Sequence, residues 1–146
     1  MFADLLKRLT DPEPERLPEP DARIALAALL VRVARSDGDY SGPEIARIDK
    51  VLAARHGLSP FEATALRREA ETLETEAPDT VRFTRALKDA VAYEDRASVM
   101  EALWSVALAD GERNYEEDAL MRLVAPMLGI NDRDSALARQ RVEGKR

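Results

Sequence analysis

Two segments of the chain carry the same order of helix and turn signals, and this repeat limits the possible folds more than any other feature. In each segment an apolar run ends at an Asp-Gly pair, and a glutamate follows seven residues after the aspartate. Asp37 and Asp110 are 73 residues apart, as are Glu44 and Glu117. Glycine after the last helical residue supplies the left-handed conformation that ends a helix. Each segment therefore predicts a helix, a short acidic turn and a second helix.

The second helix of each segment has its own start and end signals. Ser41 and Asn114 stand three residues before the two glutamates, which is the spacing of a capping box. Gly57 and Gly129 are 72 residues apart, end these helices and are each followed by an apolar residue. Two such units in one chain predict a pseudo-symmetric bundle.

The runs that precede the two turns, at residues 22–35 and 96–109, are apolar on almost every side. A helix of this kind normally lies at the centre of a protein, so we predict that these two form a central pair. Further helices are predicted at about 80–91 and 132–141 from their apolar periodicity. No stretch alternates with the period of a strand. The predicted class is therefore all-α, a compact bundle of about seven helices.

Another capping box, Ser59 with Glu62, begins a helix between these elements. Pro60 stands at the first helical position, where its missing amide hydrogen is no loss. The apolar residues of this helix predict one buried face. That face is predicted to contain Phe61, Leu66, Ala70, Leu73 and Ala77.

The chain divides into four parts by composition. Residues 1–10 have the apolar spacing of a short amphipathic helix, and residues 11–21 are a linker rich in proline and acidic residues that should be extended. Residues 22–142 form the helical domain, and residues 143–146 form a tail. We expect the first helix to fold back on its own body or to pack on a second copy, as a homodimer. The alternative is a surface anchor for a membrane or a partner.

The composition excludes several classes of function. The 146 residues have a net charge of −6, no cysteine and a single histidine, His56. A negative chain lacks the phosphate contacts of a protein that binds nucleic acid without sequence preference. The absence of cysteine excludes disulfides and cysteine-based zinc or iron–sulfur sites. No apolar stretch is long enough to span a membrane and none resembles a signal peptide, so we predict a cytoplasmic protein.

The acidic turns have two interpretations. In the favoured one, the aspartates accept backbone amides of the turn and lie near the positive end of the next helix, so no ligand is needed. In the alternative, the turns bind Ca²⁺ or Mg²⁺, which prefer carboxylate oxygens. An EF-hand is excluded because Ile48 and Met121 stand where its bidentate glutamate is required. The candidate metal ligands are Asp37, Asp39, Glu44, Asp110, Glu112 and Glu117.

The stretches "ALLVRVARSDGDYSGPEIARI" and "EALWSVALADG" resemble the TerB family of tellurite-resistance-associated helical proteins and their uncharacterised relatives. The resemblance covers roughly residues 20–140 and includes both Asp-Gly turns. It implies a compact all-helical domain linked to stress and tellurite tolerance, with no established catalytic activity. It also implies protein partners, namely membrane-associated TerC-like and Ca²⁺-binding TerD-like proteins. A location at the inner face of the membrane would follow from the first of these.

The competing hypothesis is a metal-dependent hydrolase or another enzyme that uses the clustered surface carboxylates. Such an enzyme needs two carboxyl groups in unlike environments across one cleft. We expect surface turns instead, so we predict a non-enzymatic binding module with no catalytic residues. His56 is predicted to complement the end of its helix, Trp104 to lie in the core, and Tyr40 and Tyr115 to cover the ends of the bundle.

Overall fold

The computed structural model describes residues 6, 19–36, 38, 40–76, 80–109 and 115–144. No strand occurs among these residues, and the predicted all-α class is confirmed. None of the helices described is both long and apolar enough to cross a membrane. A short 3₁₀ helix, Tyr93–Asp95, precedes the fifth α-helix. The α-helices are α1 (Glu19–Arg35), α2 (Gly42–His56), α3 (Pro60–Glu76), α4 (Thr80–Ala90), α5 (Arg96–Ala107), α6 (Tyr115–Met127) and α7 (Asp132–Gly144).

Helices α1 and α5 form the centre of the bundle. Helix α1 contacts α2, α3, α4, α5 and α6, and α5 contacts α1, α2, α6 and α7. Between Ala25 and Ala34 every residue of α1 except Arg32 is buried. Helix α5 buries Met100, Leu103 and other residues on most of its surface. These contacts confirm the predicted central pair, and they follow from helices that are apolar nearly all round.

Each member of this pair forms a group of three with two further helices. Helix α1 packs against α2 and α3, which also pack against each other. Helix α5 packs in the same way against α6 and α7, which contact each other. Helix α4 lies between the groups and contacts α1 and α6. The second acidic turn lies outside the described residues, so the repeat as a whole stays a prediction.

The two groups match closely at the corner after their second helix. Gly57 has φ +65° and Gly129 has φ +77°, the left-handed conformation that glycine adopts without strain. In both corners the amide of the residue after the glycine donates to the carbonyl five residues earlier, at 3.0 Å after Gly57 and 2.9 Å after Gly129. This is the hydrogen bond of a Schellman motif. The predicted glycine ends of α2 and α6 are therefore confirmed.

The next helix of each group begins with a side-chain cap. Ser59 and Glu62 exchange hydrogen bonds of 3.0 and 3.1 Å, which confirms the predicted capping box at the start of α3. At the start of α7, the amide of Asp134 donates to Asn131 Oδ1 at 2.7 Å. Both corners thus pass from a glycine end to a polar cap within three residues.

The prediction that Phe61 lies on the buried face of α3 is wrong. Phe61 is 83% exposed, whereas Ala63, Ala70 and Leu73 are buried. Phe61 and Ala63 are two residues apart, which is about 200° around a helix, so they cannot share a face. Leu66 is half-buried against the core, and Ala77 lies outside the described residues.

The predicted N-terminal helix is described at one residue. Leu6 is helical, half-buried and packed against the hydrophobic core. The other residues of 1–10, most of the linker 11–21 and residues 145–146 of the tail lie outside the described residues. The division of the chain into four parts therefore stays a prediction.

Candidate functional site

The first acidic turn joins α1 to α2 and is held by hydrogen bonds to carbonyl groups at the end of α1. The amide of Ser36 donates to the carbonyl of Val33 at 3.2 Å, and the Ser36 hydroxyl donates to the same oxygen at 2.7 Å. The amide of Gly38, which has φ +81°, donates to the carbonyl of Arg35 at 3.0 Å. These bonds satisfy carbonyl groups that the end of α1 would otherwise leave open.

A capping box completes the turn at the start of α2. The amide of Glu44 donates to Ser41 Oγ at 3.3 Å. In return, Glu44 Oε1 accepts the Ser41 amide at 3.1 Å and the Ser41 hydroxyl at 2.9 Å. Glu44 has no exposed surface, and a buried carboxylate is tolerated when it is hydrogen-bonded. The predicted cap is confirmed, and Oε1 is committed to it.

Tyr40 attaches this turn to α3. Its hydroxyl donates to Glu71 Oε2 at 2.7 Å, and the guanidinium of Arg35 lies over its ring, 4.9 Å from the centroid. Burial, together with the hydrogen bond to Glu71, raises the pKa of Tyr40 well above its ordinary value. The hydroxyl therefore stays protonated and remains a donor at physiological pH.

The same carboxylate of Glu71 belongs to an ion-pair network between α2 and α3. Arg67 Nη1 lies 3.0 Å from Glu71 Oε2, and Arg67 Nε lies 2.6 Å from Asp49 Oδ1. Thr64 donates to the second oxygen of Asp49 at 3.0 Å. Burial opposes the charge of Arg67, but the two carboxylates outweigh it and raise its pKa. The network fixes α2, α3 and the turn to one another.

A second ion-pair cluster holds the end of α1 on α3. Arg35 Nη1 lies 2.7 Å from Glu74 Oε2, and Arg32 Nε lies 3.3 Å from Glu74 Oε1. Arg32 also donates to the backbone carbonyl of Glu74 at 3.2 Å. Neither cluster was predicted from the sequence. Their sequence signal was weak, because only Arg67 and Glu71 have the i, i+4 spacing of a helix pair.

Most of the candidate metal ligands cannot be placed. Asp37, Asp39, Asp110 and Glu112 lie outside the described residues, and the side chain of Glu117 on α6 does too. Glu44 is the single member of the set whose side chain is described. Within the described ranges, no group of three or more His, Cys, Asp or Glu residues could hold a metal ion. The cation site therefore stays a prediction, and so does the expectation that the acidic turns do not share one cleft.

Trp104 and His56 take the positions predicted for them. Trp104 is 4% exposed, so its predicted core position is confirmed. Its indole Nε1 donates to Ser135 Oγ at 3.2 Å, and the guanidinium of Arg139 lies 5.8 Å from the ring centroid. His56 ends α2, next to Gly57, and is half-buried. The Tyr115 side chain lies outside the described residues.

An apolar groove opens between the start of α1 and the start of α3. Its volume is about 560 Å³, and Phe61 stands at its edge. Among the described residues, Phe61 is the most exposed large apolar side chain. The apolar lining is Ile24, Leu58, Phe61, Ala65 and Leu66, and the polar rim is Arg23, Glu62 and Glu69.

A larger and more polar cleft of about 770 Å³ lies between α2 and α5. Two arginines of α2 reach across it: Arg47 Nη1 donates to Ser105 Oγ at 3.2 Å, and Arg55 Nη1 donates to Ser98 Oγ at 2.6 Å. His56 also lines this cleft. Sequence reasoning missed it because the four partners come together only when α2 and α5 pack.

The chain was compared with known families and structures. The protein-family model described as tellurite resistance protein TerB matches residues 23–140, a range that runs from α1 into α7. No curated protein and no solved structure gives a significant match to the chain.

Proposed function

Because this chain belongs to the TerB family, we propose that it is a non-enzymatic module that binds a protein partner in stress and tellurite tolerance. The TerB family is not generally a catalytic family. The family match over residues 23–140 supports a tellurite-resistance-associated helical module. The partner and its binding surface are our proposal.

The observation that carries the proposal is the exposed Phe61. A phenylalanine that leaves 83% of its surface in water adds little stability to the monomer through its ring. It stands beside a groove of about 560 Å³ whose floor includes Ile24 and Leu66. An exposed apolar patch with a polar rim is typical of a protein-binding site, and aromatic residues often dominate the binding energy there.

The rim indicates what kind of partner segment fits. Glu62 and Glu69 are exposed on the α3 side of the groove, and Arg23 lies on the α1 side. A segment with one large apolar side chain, followed by a lysine or arginine, would bury the first beside Phe61 and place the second near the two glutamates. Opposite charges at a rim contribute to orientation and association rate more than to affinity.

We propose a TerC-like or TerD-like protein as the source of this segment, as the family resemblance implies. With a TerC-like partner the chain would be a cytoplasmic protein held at the inner face of the membrane through that partner. Weak binding of Ca²⁺ or Mg²⁺ at the acidic turns is a separate proposal. Since Glu44 Oε1 is already engaged by Ser41, a cation in the first turn would depend on Asp37 and Asp39.

The test is the affinity of the purified chain for purified TerC-like and TerD-like proteins of the same host, measured by calorimetry. Phe61→Ala should weaken binding by about tenfold or more, since truncation of an aromatic hot-spot residue costs about 2 kcal/mol or more. Leu123→Ala is the matched control, because Leu123 is also exposed, at 43%, but does not line the groove. Equal affinity of the Phe61 and Leu123 variants, or no binding by wild type, would refute the proposal.

A further inference from the structure

The cleft between α2 and α5 contains two arginines that are hydrogen-bonded to serines. Arg47 and Arg55 are both half-buried, and each donates to a serine hydroxyl. Within the described part of the chain, no carboxylate oxygen lies within 4.0 Å of either guanidinium. A partly desolvated charge is stabilised far better by an anion than by a neutral hydroxyl. Among the described residues, neither guanidinium thus has the directly paired counter-ion that its burial favours.

Burial disfavours the charged form of Arg55. Desolvation lowers the pKa of Arg55, and the charge of Asp95 only partly offsets this effect. Asp95 is exposed and also lines the cleft. Glu101 lines it too, but its Oε1 is paired with Arg141 Nε at 2.9 Å. The described acids of the cleft therefore compensate Arg55 only in part and form no ion pair with Arg47 or Arg55.

The spacing of the two arginines sets the length of a ligand that could contact both. Arg47 and Arg55 are eight residues apart on α2, and their partners Ser105 and Ser98 are seven apart on α5. At the rise of an α-helix these separations are about 10–12 Å. A single phosphate or sulfate is too small to bridge them.

Part of the surface between the two arginines is apolar. Val51 and Ala54 lie between them on α2, and Ala102 lies between the two serines on α5, next to Glu101, which is paired with Arg141. Val51 and Ala102 also belong to, or pack against, the hydrophobic core, so this floor is fixed. The volume of about 770 Å³ is in the range of small-molecule sites. The cleft thus has a positive group at each end, and its middle offers apolar contacts beside the Glu101–Arg141 ion pair.

We propose that this cleft binds an elongated small organic anion with an oxyanion group at each end and an apolar middle. One oxyanion group, a carboxylate or a phosphate, replaces Ser105 as the partner of Arg47, and the other replaces Ser98 as the partner of Arg55. The apolar middle lies on Val51, Ala54 and Ala102. This site is separate from the Phe61 groove and does not depend on the proposed protein partner.

The test is a length series of α,ω-dicarboxylates from succinate to sebacate, with affinity measured by calorimetry and the site located by amide chemical shifts. Affinity should rise with length and peak where the extended ligand spans about 10–12 Å. Alkane bisphosphonates of matched length distinguish a phosphate-type from a carboxylate-type ligand. Affinity that is independent of length, or no binding by any member of either series, would overturn the proposal.

Substitutions test whether Arg47 and Arg55 each bind one end of the ligand. Arg47→Gln and Arg55→Gln keep most of each side chain and should each weaken the best ligand at least tenfold, whereas Arg68→Gln, an exposed arginine outside the cleft, should leave it unchanged. Asp95→Asn should strengthen binding several-fold by removing a nearby negative charge. Circular dichroism checks that each variant is folded, and the wild-type length series decides the outcome if one is not. Loss of affinity in Arg68→Gln equal to that in Arg55→Gln would contradict the assignment.

Discussion

Replacement of Glu44 by alanine tests the buried cap of the first acidic turn. Glu44 has no exposed surface, and its Oε1 accepts the amide of Ser41 at 3.1 Å and the hydroxyl of Ser41 at 2.9 Å. Glu44→Ala removes both bonds and leaves the Ser41 amide without its acceptor at the start of α2. The side chain of Ser41 still caps the helix, because it accepts the amide of residue 44 at 3.3 Å.

The cost can be worked from these contacts. Loss of half of a capping box costs about 1 kcal/mol, and an amide left without a partner in a partly buried place costs about 1–3 kcal/mol more. We expect the free energy of unfolding to fall by about 2–4 kcal/mol in total. For a chain of this size that corresponds to a fall in Tm of about 6–12 °C.

The assay is urea and thermal unfolding followed by far-UV circular dichroism. Glu62→Ala is the matched control, because Glu62 makes the same bond to the Ser59 amide, at 3.0 Å, but is exposed to solvent. Water can replace that bond, so the control should lose much less stability. A Glu44→Ala variant within about 0.5 kcal/mol of wild type, or no less stable than Glu62→Ala, would refute the reasoning.

Three further predictions concern the turns and the N-terminus. Calorimetry with Ca²⁺ and Mg²⁺ should give weak heats for wild type that disappear in the double variant Asp37→Asn, Asp110→Asn; equal heats in both proteins would exclude the cation site. Tyr40→Phe should lower Tm at neutral pH through loss of the 2.7 Å bond to Glu71. The difference in stability from wild type should shrink above pH 10. The pKa of Tyr40 is raised in the folded state, so its contribution to stability is present below the ordinary pKa of 10.0 and is lost as pH rises further. An unchanged difference at high pH would contradict this. Deletion of residues 1–18 should leave the helices folded with a modestly lower Tm, since Leu6 packs against the core; complete loss of helical signal would show that the segment is essential.

Local features were well predicted from the sequence. A capping box needs a serine and a glutamate three residues apart, so Ser41 with Glu44 and Ser59 with Glu62 could be recognised without any tertiary contact. Gly57 and Gly129 end their helices for the equally local reason that glycine tolerates positive φ. The central position of α1 and α5 followed from their composition, because a helix with no polar face must be covered on all sides.

Features that arise between helices were not predictable in the same way. Glu74 binds Arg35 across 39 residues of sequence, and Arg47 meets Ser105 across 58. The sequence around either arginine does not identify its partner. The apolar spacing predicts the wrong face of α3 for Phe61, because an apolar residue in the first turn of a helix is compatible with more than one line of apolar residues. Its exposure becomes visible only when Ala63 and Ala70 fix which face of α3 packs on the core.

We propose that the Phe61 groove is the surface by which this TerB-family chain binds a protein partner. The proposal is tested by titration of the isotope-labelled chain with its purified TerC-like or TerD-like partner, followed by amide chemical shifts. We expect the largest shifts to cluster around Ile24, Leu58, Phe61 and Leu66 and to vanish in Phe61→Ala. Shifts centred elsewhere on the bundle and unaffected by that substitution would contradict it.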